Sequence, residues 1–128
     1  MIAGLDEAGR GPILGPLVLA LCACPDPRRL ERLGVADSKH FGSGPRARRV
    51  RMRLCREIMA ESRIFWIQVE ASVIDSFVIS GPGLNELERR AAVLLLRNCG
   101  PVQEIQADGE TLFSPLQAHF PNLLARNR

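Results

Sequence analysis

The chain begins with two short apolar runs, residues 2–6 and 13–24 (ILGPLVLALCAC), separated by a connection rich in glycine and proline at 9–12 (GRGP). Runs of this length between Gly and Pro predict two buried strands, and so brief a connection predicts that they pair as a hairpin. Residues 25–34 predict a short turn or helix, and the polar stretch ADSKHFGSGP at 36–45 a loop leading into the next helix. From Pro45 to about Ser62, Ala47, Val50, Leu54 and Ile58 recur at helical spacing, while Arg46, Arg48, Arg49, Arg51, Arg53 and Arg56 fill the positions between them. Such a pattern packs one face and leaves the other cationic.

Residues 63–70 (RIFWIQVE) are rich in β-branched and aromatic types and predict a third strand, with Trp66 in the core and a helical turn following in SVIDSFV. Gly81-Pro82-Gly83 then breaks the chain, and Leu84, Leu87, Ala91, Leu94 and Leu95 mark the buried stripe of a helix that stops at Asn98-Cys99-Gly100-Pro101. Residues 102–107 (VQEIQA) predict a fourth strand that delivers Asp108 and Gly109 at its C-terminal end. A short amphipathic piece and the start of another strand at 122–125 complete the order. Strands first, then helices alternating with strands, predict an α/β fold: a mixed β-sheet flanked by α-helices.

At 128 residues the chain is the size of one domain, able to bury roughly two-thirds of its unfolded surface. No apolar run reaches the ~18–20 residues a membrane span needs, and the N-terminus lacks the basic-then-apolar pattern of a signal peptide. The expected location is therefore cytoplasmic. Cys22, Cys24, Cys55 and Cys99 show no CxxC spacing and are expected as buried free thiols. The net charge is only +3, but residues 28–63 carry eleven Lys or Arg against four acids, whereas residues 64–110 carry three against seven. That separation suggests a polyanionic partner on one face, with a solvated helix surface as the alternative.

Three carboxylates fall where strands are expected to end: Asp6 and Glu7 after the first, Asp108 after the fourth. Open sheets carry ligands at such ends. Inside a regular strand Asp6 and Glu7 would point to opposite faces, so both can face one site only if the strand is ending there. Unit charges 4 Å apart repel by about 4 kcal/mol at a surface-like dielectric, so a cluster of acids implies a cation, and magnesium or manganese prefers carboxylate oxygen. The competing reading is three separate solvated acids. A nucleotide loop at Gly9-x-Gly11 is disfavoured, because Pro12 and Pro16 lead into a second strand instead of a helix whose N-terminus would face phosphate.

GLDEAGRGPILGPLV at 4–18 resembles the opening motif of type 2 ribonuclease H, ribonuclease HII. Further along, Ala36-Asp37-Ser38-Lys39 resembles that family's Asp-Ser-Lys loop, Gly83-Leu84-Asn85-Glu86 the start of its Asn-bearing helix, and Ala107-Asp108-Gly109 its second acidic strand end. The resemblance implies a ribonuclease H-like mixed sheet flanked by helices. It implies hydrolysis of the RNA strand of RNA–DNA hybrids and nicking 5' of ribonucleotides in duplex DNA. Asp6, Glu7 and Asp108 would then be catalytic residues and ligands of Mg2+ or Mn2+, and Gly9, Arg10 and Gly11 would meet the ribonucleotide at the junction. A side-chain-free turn suits close approach to a 2′-hydroxyl.

By the same resemblance Ser38 and Lys39 contact nucleic acid, Lys39 being the only lysine beside sixteen arginines. Asn85 either caps its helix or contacts the nucleic acid. His40 and His119 belong to no motif and are expected at the surface or in a structural role. Two features depart from the family pattern: this chain has no acid after Glu110 where members use a fourth carboxylate, and it has no tyrosine. Residues 1–128 are thus expected to be a ribonuclease H-like catalytic domain lacking its C-terminal part, either a truncation or a natural short form. A non-catalytic nucleic-acid-binding module, or an inactive remnant of such an enzyme, is the alternative function.

Overall fold

The computed structural model of the chain describes residues 1–8, 16–34 and 42–127. Its frame is a five-stranded mixed sheet of β1 (Ile2–Ala8), β2 (Leu17–Cys24), β3 (Arg63–Val69), β4 (Glu104–Asp108) and β5 (Leu123–Arg126), in spatial order β3-β2-β1-β4-β5. The first three strands form an antiparallel meander, with Ile2 opposite Cys24 and Leu17 opposite Val69. β4 is parallel to β1 and β5 is parallel to β4. Parallel neighbours need a long crossover, supplied between β3 and β4 by α3 (Ala71–Ile79) and α4 (Leu84–Asn98). Between β4 and β5 the chain crosses through α5 (Glu110–Phe113) and a 3-10 turn, Ser114–Ala118, while α1 (Pro27–Arg32) and α2 (Pro45–Glu61) lie between β2 and β3 in the chain.

One face of the sheet is packed. Alternation along the strands brings Ala3, Leu5, Leu19, Leu21, Ala23, Ile105, Ala107, Leu123 and Ala125 together, and α4 lays Ala91, Ala92, Leu95 and Leu96 on them. Leu112, Phe113 and Leu116 belong to the same cluster and carry it to the β4–β5 edge. At ~1.5–3 kcal/mol for each large apolar side chain buried, this cluster is the main source of stability. A second cluster of Leu17, Val69 and Leu87, with Ile74, Phe77 and Leu84 against it, holds the first turn of α4 to the start of β2. Because Ala8 is opposite Val18, that is the end of the sheet at which β1 finishes.

Several expectations change. β1 continues to Ala8 instead of stopping at residue 6, so Asp6 and Glu7 lie inside the strand, opposite Ala20 and Leu19. The turn expected in SVIDSFV is a helix of nine residues. Trp66 is 60% exposed: its partner Ala20 points away from the α4-packed face, and β3 is an edge strand. Leu94 is also exposed, at 53%, because the buried stripe of α4 runs through Leu87, Glu88, Ala91, Ala92, Leu95 and Leu96. All four cysteines are free, but only Cys24 and Cys99 are buried; Cys55 is exposed on the arginine-bearing helix and Cys22 is intermediate. Burial pushes the Cys22 thiol up, opposed by a hydrogen bond with Ser62. Among the described residues no helix is long and apolar enough to cross a membrane.

Candidate metal centre at the ends of β1 and β4

β1 and β4 are parallel neighbours whose last registered pair is Leu5 opposite Ala107. Asp6 and Asp108 each follow by one residue. Since Leu5 and Ala107 are both buried against the α4 side, strand alternation turns the two aspartates to the other face. They therefore leave adjacent strands at one level, with backbones about 4.8 Å apart. Two carboxylates at that spacing repel by roughly 3–4 kcal/mol at an effective dielectric near 20, a cost that a cation between them removes.

Local bonds hold both strand ends. Asp6 Oδ1 accepts the Glu7 backbone N–H at 2.8 Å. Asp108 is the last residue of β4 because Gly109, at φ +128°, turns the chain out of the strand. The Gly109 N–H then donates to the Arg126 carbonyl at 2.8 Å, and the Glu110 N–H donates to Asn127 Oδ1 at 2.9 Å. Beside Asp108 lies a cleft of about 190 Å³ lined by Gln106, Ala107, Asp108, Leu124, Arg126 and Asn127. Arg126 is opposite Asp108 in the register, so the site pairs an acidic strand end with a basic one.

Glu7 is placed differently. Strand alternation sets it on the face of Leu5, toward α4, with its Oε2 atom buried. The structure thus brings Asp6 and Asp108 together and puts Glu7 on the opposite side of β1. Among the described residues no group of three or more His, Cys, Asp or Glu is arranged to hold a metal ion. Asp6 and Asp108 suit one hard divalent ion, which takes carboxylate oxygen and completes its shell with water.

Gly9, Arg10, Gly11, Ser38 and Lys39 lie outside the described residues, as does His40. Asn85 is the second residue of α4 and is exposed; the cap position is Gly83, so Asn85 does not cap the helix. The adjoining Leu84 packs against the Leu17 cluster, which sets Asn85 at the acidic end of the sheet. His119 is exposed. On α2, Arg46, Arg48, Arg49, Arg53 and Arg56 are exposed. Arg53 has a loose ion pair with Glu57 at 3.9 Å, and Arg51 donates to the Gly42 carbonyl at 3.2 Å. The cationic face expected from the periodicity is present.

Sequence reasoning missed Arg126 and Asn127, because only the parallel register of β5 against β4 carries them to Asp108. Nor did the sequence foresee that Glu88 is fully buried, although an acid set within the apolar stripe between Leu87 and Ala91 is an unusual placement.

The family model described as ribonuclease HII matches residues 3–111. Ribonuclease HII of Methanothermobacter thermautotrophicus is 34% identical over 125 residues, covering 93% of this chain and 58% of that protein. Among solved structures, ribonuclease HII of Archaeoglobus fulgidus, in its complex with PCNA, superposes with a TM-score of 0.83 at 30% identity, covering 100% of this chain and 62% of that one. A ribonuclease HIII in complex with Mn2+ shares the fold at a TM-score of 0.72 and 21% identity, covering 99% of this chain and 45% of that one. The chain therefore spans about 58% of the length of the curated relative it matches, and its sheet and helices are the ribonuclease H-like fold. The motifs at both acidic strand ends lie within the matched residues, and on these grounds the chain belongs to the ribonuclease HII family.

Proposed function

We propose that residues 1–128 belong to the ribonuclease H-like catalytic domain of an enzyme that hydrolyses the RNA strand of RNA–DNA hybrids and nicks 5' of ribonucleotides in duplex DNA, and that they supply its substrate contacts and part of its metal centre. The observation that carries this reading is the level placement of Asp6 and Asp108 on parallel neighbours β1 and β4, in a chain of the ribonuclease HII family. Asp6 and Asp108 would hold Mg2+ or Mn2+, while Glu7, expected as a third ligand, faces the α4 side of β1 and is not placed to share that ion; the Mn2+ in the ribonuclease HIII complex supports that choice of ion. When bound, a divalent ion supplies charge stabilisation at a phosphoryl oxygen and a water of lowered pKa.

The chain's own groups do the rest. The Glu7 N–H orients the Asp6 carboxylate, and Arg126 beside Asp108 offers a charged partner to a phosphate oxygen. Gly9, Arg10 and Gly11 read the ribonucleotide, Ser38, Lys39 and Asn85 contact the backbone, and the α2 arginines hold the duplex. A non-catalytic nucleic-acid-binding module is the second reading, favoured by the lack of three grouped metal donors among the described residues.

Titration calorimetry with Mn2+ and Mg2+ tests the centre. The parent should bind, and Asp6→Asn and Asp108→Asn should each abolish the heat. A folded variant of either kind that binds as the parent does removes the shared site.

A further inference from the structure

The two edges of the sheet are built differently. β5, at one edge, is four residues long and ends in Arg126. β3, at the other, is seven residues long, RIFWIQV, with no proline or glycine and no charge after Arg63. One side of its backbone is satisfied by β2 in a register that runs without a bulge from Arg63 opposite Ala23 to Val69 opposite Leu17. Among the described residues no strand pairs with its other side. Soluble proteins blunt such edges with short strands, lysine, proline or bulges, and β3 has none of these.

The side chains beside that edge are apolar as well. Trp66 is exposed on the sheet face away from α4, and Leu94 is exposed on α4 itself. Between β3 and α4 lies a groove of about 360 Å³ whose lining includes Phe65, Ile67, Leu94 and Asn98. Covering Trp66 and Leu94 would remove apolar surface from water, and a row of open backbone groups is satisfied by another extended strand.

We infer that β3 is an interaction edge and that its partner is β3 of a second copy of this chain, paired antiparallel across a two-fold axis. Such an axis keeps α4 of both copies on one side of the joined sheet, so each residue meets one from the same face of the strand. The register centred on Trp66 satisfies this along the whole strand: Trp66 meets Trp66, Phe65 meets Ile67, Ile64 meets Gln68 and Arg63 meets Val69. A shift of two residues either way leaves part of each strand unpaired. In the centred register no like charges oppose each other, and Glu70 follows the Val69 that Arg63 meets. Aromatic cross-strand pairs stabilise and like charges directly opposite destabilise, and the same patch on both copies gives a closed dimer. A foreign strand could use the same backbone groups, but the match of this strand to itself favours the second copy.

The inference does not rest on the proposed metal centre. β2 separates β3 from β1, and antiparallel pairing turns the acidic ends of the two copies to opposite sides of the joined sheet.

Trp66 is the only tryptophan, so its emission reports on this edge alone. Sedimentation velocity from micromolar to submillimolar concentration should show a monomer–dimer equilibrium, and over the same range Trp66 emission should move to the blue and lose access to iodide. Trp66→Lys places two cations against each other on the axis. It should raise the dissociation constant at least about tenfold while keeping the parent's urea midpoint and Mn2+ titration, whereas Trp66→Phe should stay within about threefold. Gln68→Lys should also weaken the dimer, and adding Ile64→Glu to it should restore the dimer, because the centred register sets position 64 of one copy opposite position 68 of the other. If Trp66→Lys does not fold, this second pair decides, and no recovery overturns the inference. A parent that stays monomeric at submillimolar concentration overturns it, whether the edge is then free or takes a strand from another protein. So does a dimer that Trp66→Lys leaves intact, or one that forms without a change in Trp66 emission.

Discussion

Gly109 decides where β4 stops. Its φ of +128° lies where L side chains rarely go, and a Cβ there would come within 3.3 Å of Phe113 Cδ2 and 3.4 Å of Leu112 Cβ. Both neighbours are buried core residues, so neither can move aside freely. Gly109→Ala should therefore lower stability by about 1–3 kcal/mol, read as the shift in a urea transition. By relaxing the turn it should also weaken Mn2+ binding at Asp108, and an unchanged midpoint would show that the turn tolerates a side chain. At this scale the sequence pointed to acids worth testing. Asp6 and Asp108 stand out because charged residues next to apolar runs need a reason. It was uninformative about Trp66 and Glu88, because residue type says how costly exposure or burial is, and only packing says which side of an element is covered.

Elements were read more securely than faces. The helix from Pro45 and the helix from Leu84 emerge with bounds close to those expected, 45–61 and 84–98, because Pro at the first helical position and a Gly-Pro ending are local signals. The rotation of α4 was not local. Leu94 and Leu87 fit one apolar stripe equally well on the helix alone, and the sheet selects Leu87 and Ala92 while leaving Leu94 in solvent. The other long helix, α2, has a consequence of its own. Among the described residues its exposed arginines make few ion pairs, so they are available to phosphates. Binding of an RNA–DNA hybrid should weaken steeply with salt. Removing Arg46 and Arg49 together should flatten the log–log slope by up to roughly 0.9 for each phosphate left without its arginine, taking the B-form figure as a guide. Fluorescence anisotropy at several salt concentrations measures this; an unaltered slope would place the duplex away from α2.

For the molecule as a whole the question is whether this chain cleaves. It contains no acid after Glu110, and its described residues pair two carboxylates without grouping a third. An in-line displacement with two ions needs carboxylates to bridge and clamp both, and a small misplacement at a reacting centre costs about a hundredfold. The expected outcome is that the 128 residues release RNA from a labelled hybrid very slowly or not at all. The Methanothermobacter thermautotrophicus relative at equal concentration is the reference, and Asp6→Asn the blank. Robust, Asp6-dependent release by the chain alone would show that three acids suffice here or that a partner supplies the fourth.

The sequence alone determined the order and nature of the elements, the hairpin of β1 and β2, the cationic helix and the acids worth testing. All of these follow from short-range periodicity, turn chemistry and the cost of placing charge beside apolar runs. Tertiary structure alone decided that Asp6 and Asp108 share a level and a face, that Glu7 looks toward α4, that Arg126 comes beside Asp108, and that Glu88 rather than Leu94 is inside. Each of these depends on strand register or helix rotation. Register across a parallel crossover joins residues a hundred positions apart, and a shift of one residue would reverse every face. No local pattern carries that information; it is set by how the apolar side chains of β1, β4 and α4 fit together in one core.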